Sequence, residues 1–407
     1  MCKMPEIKEK AEAARGKQAA YGEDIDLSIY EKDVPVYEGD PDLISMTEEE
    51  RNHVLEVGIN VDKADRTGSF FLKGHSPVHC TVAQEGVELM PIAEALTKYA
   101  DLEKYWWKAV DVGTDKYTAQ AEIDLHSGYF LRVKAGTKAC FPIQACLYLS
   151  EEGIAQNVHN LIIAEEGSEV HMITGCTTAP HLKRGLHIGV TEVYVEKGAT
   201  VTSTMLHNWG EEVVVRPRTA VWVEENGTYM SNYVCLKTAR SVQMYPSVRL
   251  KGENAVARLN TILVASEGSV LDVGGKVFLE AKGSKAEIIS RTITTGGKII
   301  SRGLLVGQVP DIKAHLECSG LILSDVGKIH AIPELDGWVS GVEMSHEAAV
   351  GKISQEEIEY LMARGLTEQE ATALIVRGFL NVKMEGLPEE LQQEIEKMIT
   401  EGEESFL

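Results

Sequence analysis

Glycine-centred turns recur at near-regular intervals through the middle of the chain. That regularity restricts the available folds more than any other feature. Glu166-Gly167-Ser168, Lys197-Gly198-Ala199, Asn226-Gly227-Thr228, Lys251-Gly252-Glu253, Glu267-Gly268-Ser269, Lys282-Gly283-Ser284 and Gly296-Gly297-Lys298 place glycines 31, 29, 25, 16, 15 and 14 residues apart. Between them, from about residue 128 to 340, lie short runs with strand composition and almost no helical periodicity. A spacing near 15 and its double marks half a coil, or a whole one, of a repeating β structure. A sandwich would turn about every 8 to 12 residues and alternate apolar with polar on each strand. A solenoid repeats a coil of fixed length, buries one face of each strand and needs a cap at both ends. The region therefore reads as a parallel β-helix, with a Greek-key barrel as the alternative.

The composition suits such a core. Of 407 residues 44% are hydrophobic but only 6% aromatic, so Val, Ile, Leu and Ala must fill the interior, which favours sheet layers. Acidic side chains (62) outnumber basic ones (40), a formal charge of −22 that would repel nucleic acid. No apolar run approaches the roughly 18 to 20 residues of a membrane span; Leu161-Ile162-Ile163-Ala164 is ended at once by Glu165. The start, Met1 to Lys8, has positive charge without an apolar segment behind it, so a cytoplasmic protein is expected. Cysteines at 2, 80, 140, 146, 176, 235 and 318 are odd in number and without repeating spacing. They read as reduced thiols, available to metals or sulfur, and not as a disulfide framework.

The flanks differ from the core. Residues 1–127 read as a mixed, partly helical N-terminal region, with a helix starting at Thr47-Glu48-Glu49-Glu50, another over Pro91 to Tyr105, and Trp106-Trp107 stapling it to a neighbouring layer. The β-helix is placed at 128–345 and a helical domain at 346–407. There Ser354-Gln355-Glu356-Glu357 reads as a capping box before Ile358, Leu361 and Met362, ended by Gly365. Thr367-Glu368-Gln369-Glu370 starts a second helix ending near Gly378, and Pro388 a third with a stripe of Leu391, Ile395, Met398 and Ile399. Their acidic outer faces suit a basic groove on a partner, or a cap on the solenoid end.

Few motifs carry chemistry. Gly296-Gly297-Lys298 runs into a strand and not a helix, so any nucleotide belongs to another subunit. His75, His79 and Cys80 would converge on a metal only from a helix, and Pro77 argues for extended backbone. Cys176, His181 and His187 flank a loop at Pro180 and offer a soft metal a thiolate and two imidazoles. Cys318 is accompanied by His315, His330, His346 and Glu347. With coils near 30 residues, positions 346 and 347 stack about one coil above Cys318. Thiolate, imidazole and carboxylate together suit iron or a sulfur-carrying intermediate; alternatively Cys318 is a small buried hydrophobe.

Four ordered stretches carry a family resemblance: Ser127 to Gly136, Asn160 to His171, Thr174 to Pro180 with His207-Asn208-Trp209, and Gly341 to Ile353 followed by Tyr360 to Leu366. Over roughly residues 70 to 390 the chain resembles the SufB/SufD proteins of iron–sulfur cluster assembly. The resemblance implies a right-handed parallel β-helix core, a C-terminal helical part that docks a SufC-type ABC ATPase, and pairing of two cores, as a homodimer or with a SufB/SufD paralogue. It implies a scaffold that assembles a transient iron–sulfur cluster and passes it to acceptor proteins, without nucleotide bound by this chain or enzymatic activity of its own. Cys318 and Glu347, with His346 adjacent, match the cluster-building positions, and His346-Glu347 resembles the SufB type where SufD members usually carry His-Gly. A second family cysteine is matched by Val223, for which Cys235 is a substitute candidate. A SufD-like structural subunit is the rival reading; a secreted polysaccharide-cleaving β-helix would need a signal peptide and surface aromatics.

Overall fold

The computed structural model describes residues 5–31, 34–40, 42–62, 65–237 and 239–380. Within the core, successive strands alternate between a ten-stranded and an eleven-stranded sheet, which share one hydrophobic cluster between them. Each coil thus gives one strand to each sheet, and about eight coils stack into a parallel β-solenoid. Among the described residues all ladders are parallel except two antiparallel pairs at the N-terminal end, the hairpin Gly68–Lys73 with Ser76–Val82 and the long-range pair Val87–Pro91 with Tyr129–Val133.

The glycine intervals are explained by where the turns fall. Gly167, Gly198, Gly227, Gly252 and Gly283 all lie where the chain crosses from the eleven-stranded to the ten-stranded sheet, and Gly268 and Gly297 where it crosses back. Two physical needs keep glycine there. Gly167, Gly198, Gly268 and Gly283 take φ between +64° and +85°, open to glycine without strain. At Gly252 the coils approach so closely that a Cβ would lie 1.9 Å from the backbone nitrogen of Glu225. Prolines mark the interruptions: Pro217 separates Glu212–Val215 from Arg218–Val223, and Pro246 separates Ser241–Met244 from Ser247–Leu250, since a ring nitrogen cannot donate to a ladder.

Ladder register turns the sequence into columns. One inward column of the ten-stranded sheet reads Ala145, Thr174, Met205, Tyr233, Thr261, Ser290, Cys318 and Ala348. Aliphatic columns elsewhere supply the stability, about 1.5 to 3 kcal/mol for each large side chain withdrawn from water.

The mixed N-terminal region contributes strands to both sheets, starting at Gly68, so the stack begins well before residue 128. The helix expected over Pro91 to Tyr105 is broken at Tyr99 into Ile92–Lys98 and a 3-10 turn, Ala100–Lys104. Trp106 and Trp107 do staple this region to the solenoid. Trp106 stacks on His159 at 3.8 Å, and the buried Glu192 carboxylate accepts from the backbone nitrogens of Trp107, Ala109 and Val110 and from His159 Nε2.

At the other end the final strand, Val342–Gly351, crosses position 345 and leads into helices Gln355–Met362 and Glu368–Leu380. Thr367 and Glu370 form the expected capping box, but Ser354 makes no side-chain cap, so the first helix starts without one. Val376 and Leu380 join the core cluster, and Phe379 faces the Arg291 guanidinium at 5.9 Å. The third helix, from Pro388, lies outside the described residues. No helix among those described is long and apolar enough to cross a membrane.

Candidate functional site

Alternation along Ile312–Ile322 buries Ala314, Leu316 and Cys318 and leaves Lys313, His315 and Glu317 on the outer side. Cys318 is 2% exposed, between Ser290 on the coil before and Ala348 on the terminal strand. Burial pushes its thiol above the ordinary range; a hydrogen bond from Ser301 Oγ at 3.8 Å opposes this, the Glu317 carboxylate adds to it, and Arg291 opposes it. Ser301 reaches Cys318 from the opposite sheet and meets Ser290 Oγ at 3.0 Å.

Register decides what else meets the sulfur. His346 pairs with Leu316, Glu347 with Glu317, and Ala348 with Cys318. Parallel ladder partners share a face, so His346 lies on the inward face with Cys318, and Glu347 lies on the outer face beside Glu317. The three expected site residues are therefore on neighbouring strands but divided between faces. Glu317 is held by Arg291 at 2.7 Å. His315 is also on the outer face, where its Nδ1 meets Ser345 Oγ at 2.9 Å. His330 pairs with Ile300 on the eleven-stranded sheet and points to solvent, away from the group.

The two lesser clusters do not converge as their spacing suggested. Pro77 does lie in a strand, Ser76–Val82. His75 bonds the Ala155 carbonyl and stacks on His126, His79 bonds Ser69 Oγ, and Cys80 bonds the Leu89 carbonyl. His181 is exposed while Cys176 and His187 are buried. Cys176 instead joins an interior column with His207 and Cys235. Tyr233 Oη and His207 Nδ1 are hydrogen-bonded at 2.9 Å, and His187 donates through Nδ1 to Gln156 Oε1 at 2.9 Å. Burial lowers both imidazoles to about 3 and pushes the Cys235 thiol up to about 12, so at neutral pH both rings are neutral and this thiol is protonated. Among the described residues no three His, Cys, Asp or Glu side chains are grouped so as to hold a metal ion.

Between the sheets an enclosed cavity of about 50 Å³ is lined by Thr174, Met205, Tyr233, Thr261 and Ser290 of the Cys318 column. Ser290, Ser301, Glu317 and Arg291 were not singled out from sequence. For the two serines the available signal was a small polar residue at an inward position, legible only once the register is known; Glu317 and Arg291 lie on the outer face, where charged residues are ordinary.

Two parallel sheets stacked into about eight coils, with helices at either end, define the class as a parallel β-solenoid with helical flanks. Comparison makes this specific. Residues 147–379 match the family model described as the SUF system FeS cluster assembly, SufBD core domain. A SufBD family iron-sulfur cluster assembly protein of Methanothermobacter thermautotrophicus is 46% identical over 400 residues, covering 96% of this chain and 97% of the relative. One from Archaeoglobus fulgidus is 46% identical, covering 88% and 96%, and one from Staphylococcus aureus 32% identical, covering 78% and 69%. The chain belongs to the SufBD family of SUF iron–sulfur cluster assembly proteins.

Proposed function

We propose that this chain is the scaffold subunit on which a nascent iron–sulfur cluster is built, with Cys318 as the sulfur anchor. The observation that carries the reading is the position of Cys318, the one thiol of the final coils, a single strand below the open end of the stack. His346 shares its face and serves as a second, imidazole donor. Glu347, on the solvent side, offers a hard oxygen donor that takes up ferrous iron. The cluster is cargo and not a resident group, which suits a buried thiol that is protected between assembly cycles.

The terminal coil is the surface through which a second core, a copy or a paralogue, pairs. Among the described residues its strands Lys328–Gly337 and Val342–Gly351 have unpaired edges, and Val326, Trp338, Val339 and Val350 around them are 40 to 64% exposed. The C-terminal helices dock a SufC-type ATPase through their exposed Tyr360, Met362 and Leu374. ATP-driven movement of the Glu368–Leu380 helix, which rests on the solenoid, opens the terminal coil and exposes Cys318.

The rival is a SufD-like structural subunit, favoured by the division of Cys318 and Glu347 between faces. Replacing Cys318 by Ser in the producing organism separates the two. A scaffold loses most activity of its iron–sulfur enzymes, whereas full activity in the Cys318→Ser strain contradicts the scaffold reading.

A further inference from the structure

Two serines in the solenoid core converge on Cys318 from different sheets. Ser290 is 6% exposed and Ser301 3% exposed, and the ladder neighbours of Ser301 are Val273 and Ala331, both apolar. A hydroxyl in such a place costs stability unless its hydrogen bonds are made. The two side-chain partners of Ser301 are Ser290 Oγ at 3.0 Å and Cys318 Sγ at 3.8 Å. A hydroxyl carries a single proton. When Ser290 donates to Ser301, the Ser301 proton is directed at the sulfur.

We propose that Ser301 is a positioning residue for the Cys318 sulfur, holding it as an anion or persulfide, with Ser290 orienting Ser301. The inference rests on the reading of Cys318 as the sulfur anchor. A hydroxyl donor shortens and strengthens its bond when the sulfur becomes anionic, so the contact is worth most in the loaded state. Hydrogen bonds to sulfur are also among the levers by which proteins tune iron–sulfur centres. Access fits the same role. In the coil above, Ala348 covers Cys318 and Ala331 covers Ser301, so one layer of methyl groups separates the pair from the open end.

Inorganic polysulfide is a direct probe. The Cys318 thiolate, its proton passed to water, forms a bond to a sulfane sulfur. The adjoining S–S bond breaks, and its electron pair leaves on a polysulfide one sulfur shorter. Full-length protein is incubated anaerobically with polysulfide, the product alkylated, and the persulfide at Cys318 quantified by peptide mass spectrometry.

Wild type loads Cys318, and Ser301→Ala retains about one-tenth of that occupancy, the factor expected for one hydrogen bond to a charged group. Ser301→Thr restores it, and Ser290→Ala gives a smaller loss. Should Ser301→Ala not fold, Ser290→Ala decides. Wild-type occupancy in the alanine variants, or a loss that Ser301→Thr leaves unrepaired, overturns the role of Ser301 alone. Absence of persulfide at Cys318 in wild type overturns the anchor reading and this inference with it.

Discussion

Single buried polar groups hold the N-terminal region to the solenoid and set its response to acid. Glu192 is fully buried and accepts from three backbone nitrogens and from His159, so Glu192→Ala takes the acceptor from Trp107 N, Val110 N and His159 Nε2, while Ala109 N keeps Tyr194 Oη at 3.0 Å. A loss of about 3 to 5 kcal/mol is expected, measured by urea unfolding. His187 and His207 work differently. Each is neutral in the folded chain, with its pKa lowered from 6.5 to about 3 by burial. Below pH 6.5 the unfolded chain binds protons that the folded chain refuses, so stability is lost as pH falls toward 3. Each ring contributes a slope of about 1.4 kcal/mol per pH unit in that window. Unfolding midpoints between pH 7 and 4 should fall more steeply for wild type than for His187→Gln; equal slopes would show that this ring is not the cause.

Strands and turns were legible to very different degrees. The coil repeat was visible because turn glycines answer to local needs, a positive φ at Gly167 or a close approach at Gly252, which leave a mark in the sequence. Register leaves none. Stacking His346 and Glu347 on Cys318 assumed a coil slightly shorter than the actual step to Ala348, and in a structure of period two a one-residue offset moves Glu347 to the opposite face. The early strands from Gly68 were hidden inside a mixed pattern because they close the first coil in antiparallel pairs. The N-caps of the last helices were misjudged in one of two cases. Thr367→Ala should cost about 1 kcal/mol of local stability, seen as faster amide exchange in Glu368–Leu380. Ser354→Ala should leave exchange in Gln355–Met362 unchanged, since that side chain caps nothing.

At the largest scale the solenoid has unlike ends. Helices and antiparallel strands close the N-terminal end, whereas among the described residues the last coil presents unpaired edges and exposed Trp338 and Val350. Such an edge offers backbone donors and acceptors to another strand, and it is the pairing surface proposed above. With the pairing proposed above, wild type sediments as a dimer and Trp338→Glu with Val350→Lys as a monomer in sedimentation velocity, without loss of β structure. A still-paired variant would place the interface elsewhere. The scaffold role proposed above requires that same end to open, because Cys318 is 2% exposed beneath the terminal strand. The most direct measurement is anaerobic reconstitution of the purified chain with ferrous iron and sulfide, followed by visible absorption, for wild type and Cys318→Ser. Cluster absorption in wild type that disappears in Cys318→Ser is the expected result, and equal absorption in both would contradict an anchor at Cys318.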